Sequence, residues 1–122
     1  MTHSPGFLVL VNDAKSRIEQ IDIEQYKAMR AAGGSHVLVD TREDNEWNAG
    51  HVAGSVHLSK GIIERDIESR IPDRNTTLVL YCGGGFRSAL AADALRKMGY
   101  THAISLDGGW RALQTSGVQL EK

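Results

Sequence analysis

The sequence predicts a small α/β domain: a mainly parallel sheet of about five strands with helices on both faces. Three observations carry that prediction. Short apolar runs alternate with segments of helical period along the chain. Two of the runs, "HVLVD" and "TTLVLYC", lack the in-out alternation of a half-exposed strand, as strands covered on both faces do. At 122 residues, 41% hydrophobic and 24% charged, the chain has material for one core and one domain, residues 1–122. Strands alternating with helices pack as parallel crossover units.

At the N-terminus, "GFLVLVNDAKSRIEQID" reads two ways. Its apolar run can begin a strand, while Leu10, Ala14 and Ile18 fall at helical spacing; the helical reading is taken. Asp22 followed by Gln25 has the form of a capping box, and Ile23, Tyr26 and Met29 continue a helix that Gly33-Gly34 ends. "HVLVD" is then a strand ending at Asp40, with a short helix from Glu43 to Ala49 behind it. Gly50 and Gly54 punctuate "GHVAGSVHLS" around a brief strand. Ile63, Ile67 and Ile71 recur on one face of a helix stopped by Pro72. "TTLVLYC" is a strand, "SALAADALRKM" a helix closed by Gly99, and "HAISL" the next strand before Gly108-Gly109.

Charge and composition exclude several classes. A net charge of -1 offers no basic footprint for nucleic acid and no polybasic segment for an anionic membrane. The apolar stretch Phe7 to Val11 falls far short of a membrane span and lacks the basic flank of a signal peptide, so the expected location is cytoplasmic. A single cysteine forms no internal disulfide and no thiolate-rich zinc site, and His3, His36, His57 and His102 show no ligand spacing; no metal or other cofactor is expected. Cys82 is therefore either buried filler or a reactive thiol.

"LYCGGGFRSALAADAL" favours the reactive reading. Cys82 closes a strand, and a helix begins a few residues later, so the thiol sits at a strand-to-helix turn. Helix N-termini and nearby cations favour the thiolate, which is the nucleophilic form, and this segment supplies both, the cation being Arg87. A loop curled around one anion needs backbone angles that side chains forbid, and Gly83, Gly84 and Gly85 fit such a nest. In an open parallel sheet the crevice lies beyond the strand C-termini; Asp40 and Cys82 both end strands and are expected to face one cleft.

These residues carry a family resemblance. "VLVDTREDNEWNAGHVAGSVHLS", the loop opened by Cys82, and "LDGGW" follow one another in the order seen in the rhodanese, or sulfurtransferase, homology domain, over roughly Ile21 to Leu113. The chain resembles the single-domain members. The resemblance implies that Cys82 attacks a sulfane sulfur, becomes a persulfide and passes the sulfur to a thiophilic acceptor such as cyanide or a thiol, a ping-pong route that divides one hard transfer into two. Arg87 would assist as a catalytic cation or bind the anionic part of a donor. The amides of Gly83, Gly84, Gly85, Phe86, Arg87 and Ser88 would cradle the persulfide, and Phe86 would shape donor access. Implied donors are thiosulfate, persulfides and polysulfides, and a redox or sulfur-relay protein is a further candidate partner. Tandem-domain thiosulfate sulfurtransferases often carry basic residues where this chain has Gly83 and Gly84, which implies weak binding of anionic donors.

Two alternatives stand beside this one. Phosphatases and arsenate reductases of the same fold resemble Cys-x5-Arg with a preceding His; here the spacing is Cys-x4-Arg and the preceding residue is Tyr81, so a single sulfur fits better than an oxyanion. The other alternative is a non-catalytic module that carries sulfur or mediates contacts. Asp40, Arg42 and Glu46 match family positions with a supporting role, Arg42 and Glu46 being spaced i to i+4. His51 is expected to fix a turn, and Trp47 and Trp110 to be core or rim aromatics.

Overall fold

The computed structural model describes residues 3–122. Five strands form one sheet in the order β1-β6-β5-β2-β4: β1 (Glu19–Ile21), β2 (Val37–Asp40), β4 (Val56–His57), β5 (Leu78–Tyr81) and β6 (Ala103–Leu106). Every pairing is parallel. A separate antiparallel pair joins β3 (His51–Val52) to β7 (Leu120–Glu121). The helices are α1 (Pro5–Lys15), α2 (Ile23–Ala31), α3 (Asp44–Ala49), α4 (Ile63–Arg70), α5 (Phe86–Lys97) and α6 (Gly109–Gln114). None is long and apolar enough to cross a membrane.

Period-two alternation along β5 divides the core between the two faces of the sheet. Leu78 and Leu80 pack with Ile63 and Ile67 of α4 and Ala91, Ala92 and Leu95 of α5. Val79 and Tyr81 pack on the other side with Tyr26 of α2 and Leu113 of α6. Ile63 and Ile67, both 0% exposed, each contribute about 1.5–3 kcal/mol by burial. The capping box is present: Asp22 accepts from the Gln25 amide, and the Gln25 side chain accepts from the Asp22 amide.

The structure corrects the N-terminal reading. The segment taken as one helix divides into α1 and the edge strand β1, because Glu19 and Gln20 are exposed and leave no apolar signature; backbone pairing with β6 alone makes them a strand. Strand β7 was likewise unmarked, having two exposed residues. Helix α5 begins at Phe86, two residues earlier than the apolar pattern suggested.

From β2 the chain moves outward to β4, and from β5 it moves outward to β6 on the opposite side. The sheet therefore reverses direction between β2 and β5, and a crevice opens at their C-terminal ends. Cys82 directly follows β5 there.

Candidate active site

Cys82 is the free thiol at this crevice, 1% exposed. Its Sγ accepts a hydrogen bond from the Gly85 amide at 3.1 Å and lies 3.5 Å from Ser88 Oγ. Ser88 Oγ is in turn 2.9 Å from Ser105 Oγ, and both serines are completely buried. A hydroxyl pair thus backs the sulfur from beneath. Among the described residues, Gly85 supplies the one amide that donates to the resting sulfur.

Of the three loop glycines, Gly85 alone has a left-handed backbone, with φ 102°. A β-carbon there would stand 3.4 Å from Asp107 Cα and from the Gly108 nitrogen, so the loop turns tightly against the start of the next loop. The expectation that all three glycines need forbidden angles is corrected. Gly83 and Gly84 have ordinary φ, and Gly83 instead leaves room for the Arg87 guanidinium, 3.2 Å from where a β-carbon would be.

The "LDGGW" segment holds the loop from the other side. The Trp110 amide donates to the Cys82 carbonyl at 2.7 Å, and the Arg111 amide to the Gly83 carbonyl at 3.3 Å. Tyr81 faces away from the thiol, into the α2 and α6 side of the core, where burial holds its hydroxyl well above its ordinary pKa of 10.

Arg87 is paired. Its Nη1 and Nη2 donate to the two carboxylate oxygens of Glu46 at 2.7 and 3.1 Å. The Arg87 hydrogen bonds hold the Glu46 carboxyl below its ordinary value, against the opposing effect of partial burial. Glu46 accordingly belongs to the cleft, beyond the supporting role assigned to it, and the i, i+4 relation with Arg42 forms no ion pair. Arg42 binds Asp40 instead: Nη2 to Oδ2 at 2.7 Å, Nε to both carboxylate oxygens, and the Arg42 amide to Oδ1 at 2.8 Å. Nη2 also donates to the Gly50 carbonyl at 2.7 Å, and the guanidinium lies 4.4 Å over the Trp110 ring. The expectation that Asp40 faces the cleft is therefore corrected: it is 0% exposed, and a carboxylate so buried is stable only against its cation.

Cys82, Gly83, Gly84, Phe86, Arg87 and Glu46 line a cleft of about 710 Å³, joined by His3, Phe7, Trp110 and Arg111. The His3 and Phe7 rings lie tilted against the Phe86 ring, with centroids 4.4 and 6.4 Å away, while Lys15 Nζ lies 4.9 Å over it. The start of α1 is thus one wall of the site. Nothing local in the sequence ties His3, Phe7 or Arg111 to Cys82; Ser105, a polar residue inside the apolar run "HAISL", is the one such signal the sequence carries. His51 lies away from the cleft lining. Its ring stacks on Trp47 at 3.4 Å, with Nδ1 3.0 Å from the Trp47 carbonyl and Nε2 3.2 Å from Glu121, fastening β3 to β7. Among the described residues no three His, Cys, Asp or Glu side chains converge as a metal-binding set.

Comparison with known proteins shows the family. Residues 22–116 match the family model of the rhodanese-like domain. The thiosulfate sulfurtransferase GlpE of Pseudomonas entomophila is 35% identical over 100 residues, which cover 80% of this chain and 88% of that protein. Among solved structures, a protein of unknown function from Rhodopseudomonas palustris, described as a possible tyrosine phosphatase, superposes with a TM-score of 0.85 at 28% identity over 99% of this chain and 98% of its own. A thiosulfate sulfurtransferase from Pseudomonas aeruginosa gives a TM-score of 0.75 at 27% identity, covering 86% of this chain and 20% of that one. The chain belongs to the rhodanese-like domain family. It is an enzyme of the sulfurtransferase class.

Proposed function

We propose that the protein moves a sulfane sulfur from thiosulfate, a persulfide or a polysulfide to a thiol or cyanide acceptor through a persulfide on Cys82. The observation that carries this reading is the thiol at the cleft floor, with the Gly85 amide and the Ser88 hydroxyl on its sulfur and Arg87 closing a Cys-x4-Arg loop. In the first half-reaction the Cys82 thiolate attacks the outer sulfur of the donor. A new S–S bond forms, the donor S–S bond breaks, and sulfite or a thiolate leaves with the electron pair. In the second, the acceptor attacks the outer sulfur of the persulfide and Cys82 leaves as thiolate. Charge and atoms balance in both steps with no external oxidant. The Gly85 amide and Ser88 hydroxyl are suited to steady the anionic sulfur of Cys82 as it arrives and departs.

Intact-mass measurement tests this directly. Incubation with thiosulfate or glutathione persulfide is expected to add one sulfur atom, removable by cyanide or a dithiol and absent from Cys82→Ser. No adduct with any donor, or an adduct that survives in Cys82→Ser, overturns the proposal. An adduct without turnover in the presence of acceptors would leave a sulfur-carrying module in place of an enzyme cycle.

A further inference from the structure

Two arginines line the cleft, and only one of them is engaged. Arg87 is held in a two-point pair with Glu46, which occupies two of its donors. Arg111 is exposed and makes no ion pair among the described residues. Its backbone is fixed relative to the nucleophile nonetheless, because its own amide hangs from the Gly83 carbonyl and the preceding amide from that of Cys82. The guanidinium is thus a free cation carried on a fixed base at the mouth of the cleft. His3, Phe7 and Phe86 add aromatic surface to the cleft, and the carboxylate in its lining, Glu46, is taken up by Arg87.

We propose that Arg111 is a specificity-determining residue of the first half-reaction, binding the oxyanion of the donor, a sulfonate or a carboxylate, while its sulfane sulfur meets Cys82. The inference rests on the sulfur-transfer reading above. It places anionic-donor recognition on α6, which begins within "LDGGW" and lies outside the cysteine loop, where Gly83 and Gly84 supply no charge. An arginine fork matches such oxyanions in geometry as well as in sign.

The test compares three donors in wild type, Arg111→Ala and Arg111→Lys, with dithiothreitol as a neutral acceptor. Thiosulfate presents a sulfonate, glutathione persulfide presents carboxylates, and N-acetylcysteamine persulfide carries no charge beyond its sulfur chain. Arg111→Ala is expected to lower kcat/KM for one or both oxyanion donors roughly tenfold, with the uncharged donor and the acceptor half-reaction changed less than twofold. Arg111→Lys, which keeps the charge and loses the fork, should recover only part of the loss, and the discrimination should shrink as salt is raised, since the site is exposed. Loss with thiosulfate alone identifies a sulfonate subsite, and loss with glutathione persulfide alone a carboxylate subsite. Equal loss for all three donors, or none for either oxyanion donor, overturns the assignment. Failure of wild type to form the Cys82 persulfide defeats the earlier reading instead, so the two are separable.

Discussion

A β-carbon built on Gly109 would stand 2.3 Å from the Cys82 carbonyl oxygen, at a φ of 47°. One built on Gly84 would meet the Phe86 ring at 3.8 Å, with ordinary φ. The two glycines are therefore unequal, although both sit in glycine clusters beside Cys82. Gly109→Ala must push the loop off α6 and adopt a disfavoured backbone, at a cost of about 1–3 kcal/mol from the backbone alone. It is expected to lower Tm by several degrees and to abolish most sulfur transfer. Gly84→Ala is expected to fold within about 0.5 kcal/mol of wild type and keep its activity. Thermal denaturation and a thiocyanate assay on both variants check this. A Gly84→Ala variant as damaged as Gly109→Ala would show that the loop needs glycine where the backbone does not demand it.

Between elements, the Glu46–Arg87 pair joins α3 to α5 across the cleft, and Arg17 joins α1 to α5 by hydrogen bonds to Asp13 and Asp93. The Glu46 carboxyl, its pKa lowered by Arg87, makes the first link depend on pH. A depressed carboxyl contributes stability that is fully present above its ordinary value of 4.5 and is lost as pH falls through the lower folded value. Both side chains remain about a third exposed, so solvent screening limits the pair to about 1 kcal/mol. Glu46→Gln is expected to be less stable than wild type by about that amount at neutral pH, with the difference closing in acid once wild-type Glu46 is itself protonated. Urea denaturation of both proteins across the carboxyl range measures it. A gap that persists in acid would assign Glu46 a packing role instead.

On the scale of the molecule, the proposed sulfur transfer and the phosphatase or arsenate reductase alternative call for anion cradles of different size. The Rhodopseudomonas neighbour, described as a possible tyrosine phosphatase, shares this fold along almost its whole length. In the present chain Gly85 both donates to Sγ and turns the backbone against Asp107, so the ring around the sulfur is closed after few residues. A tetrahedral oxyanion needs donors spread over a wider ring. Aryl phosphate hydrolysis and arsenate reduction are accordingly expected to be negligible in the native protein. A glycine inserted after Gly85 keeps the Asp107 contact while lengthening the ring. That variant should lose sulfur transfer and gain protection of Cys82 from alkylation by phosphate or arsenate. Robust phosphatase activity in the unaltered protein, absent from Cys82→Ser, would reverse the assignment.

What could be read from the chain alone is what local chemistry writes into neighbouring residues. The apolar runs of β2 and β5, the isoleucine stripe of α4 and the Asp22 capping box were legible because burial on both faces, helical period and end-capping each leave a mark within a few positions. So was the cysteine turn, since strand, cysteine, glycines and arginine stand together. Tertiary structure alone decided the rest. Edge strand β1 owes its form to backbone bonds with β6, which no side chain announces. Arg42 pairs with Asp40 and Arg87 with Glu46, because a buried or half-buried charge takes whichever partner the folded chain brings within reach. His3, Phe7 and Arg111 reach the cleft, and Ser105 reaches the Ser88 hydroxyl behind Cys82, from far along the sequence. Cleft composition is a property of the packed sheet, and it becomes definite only when the strands have chosen their order.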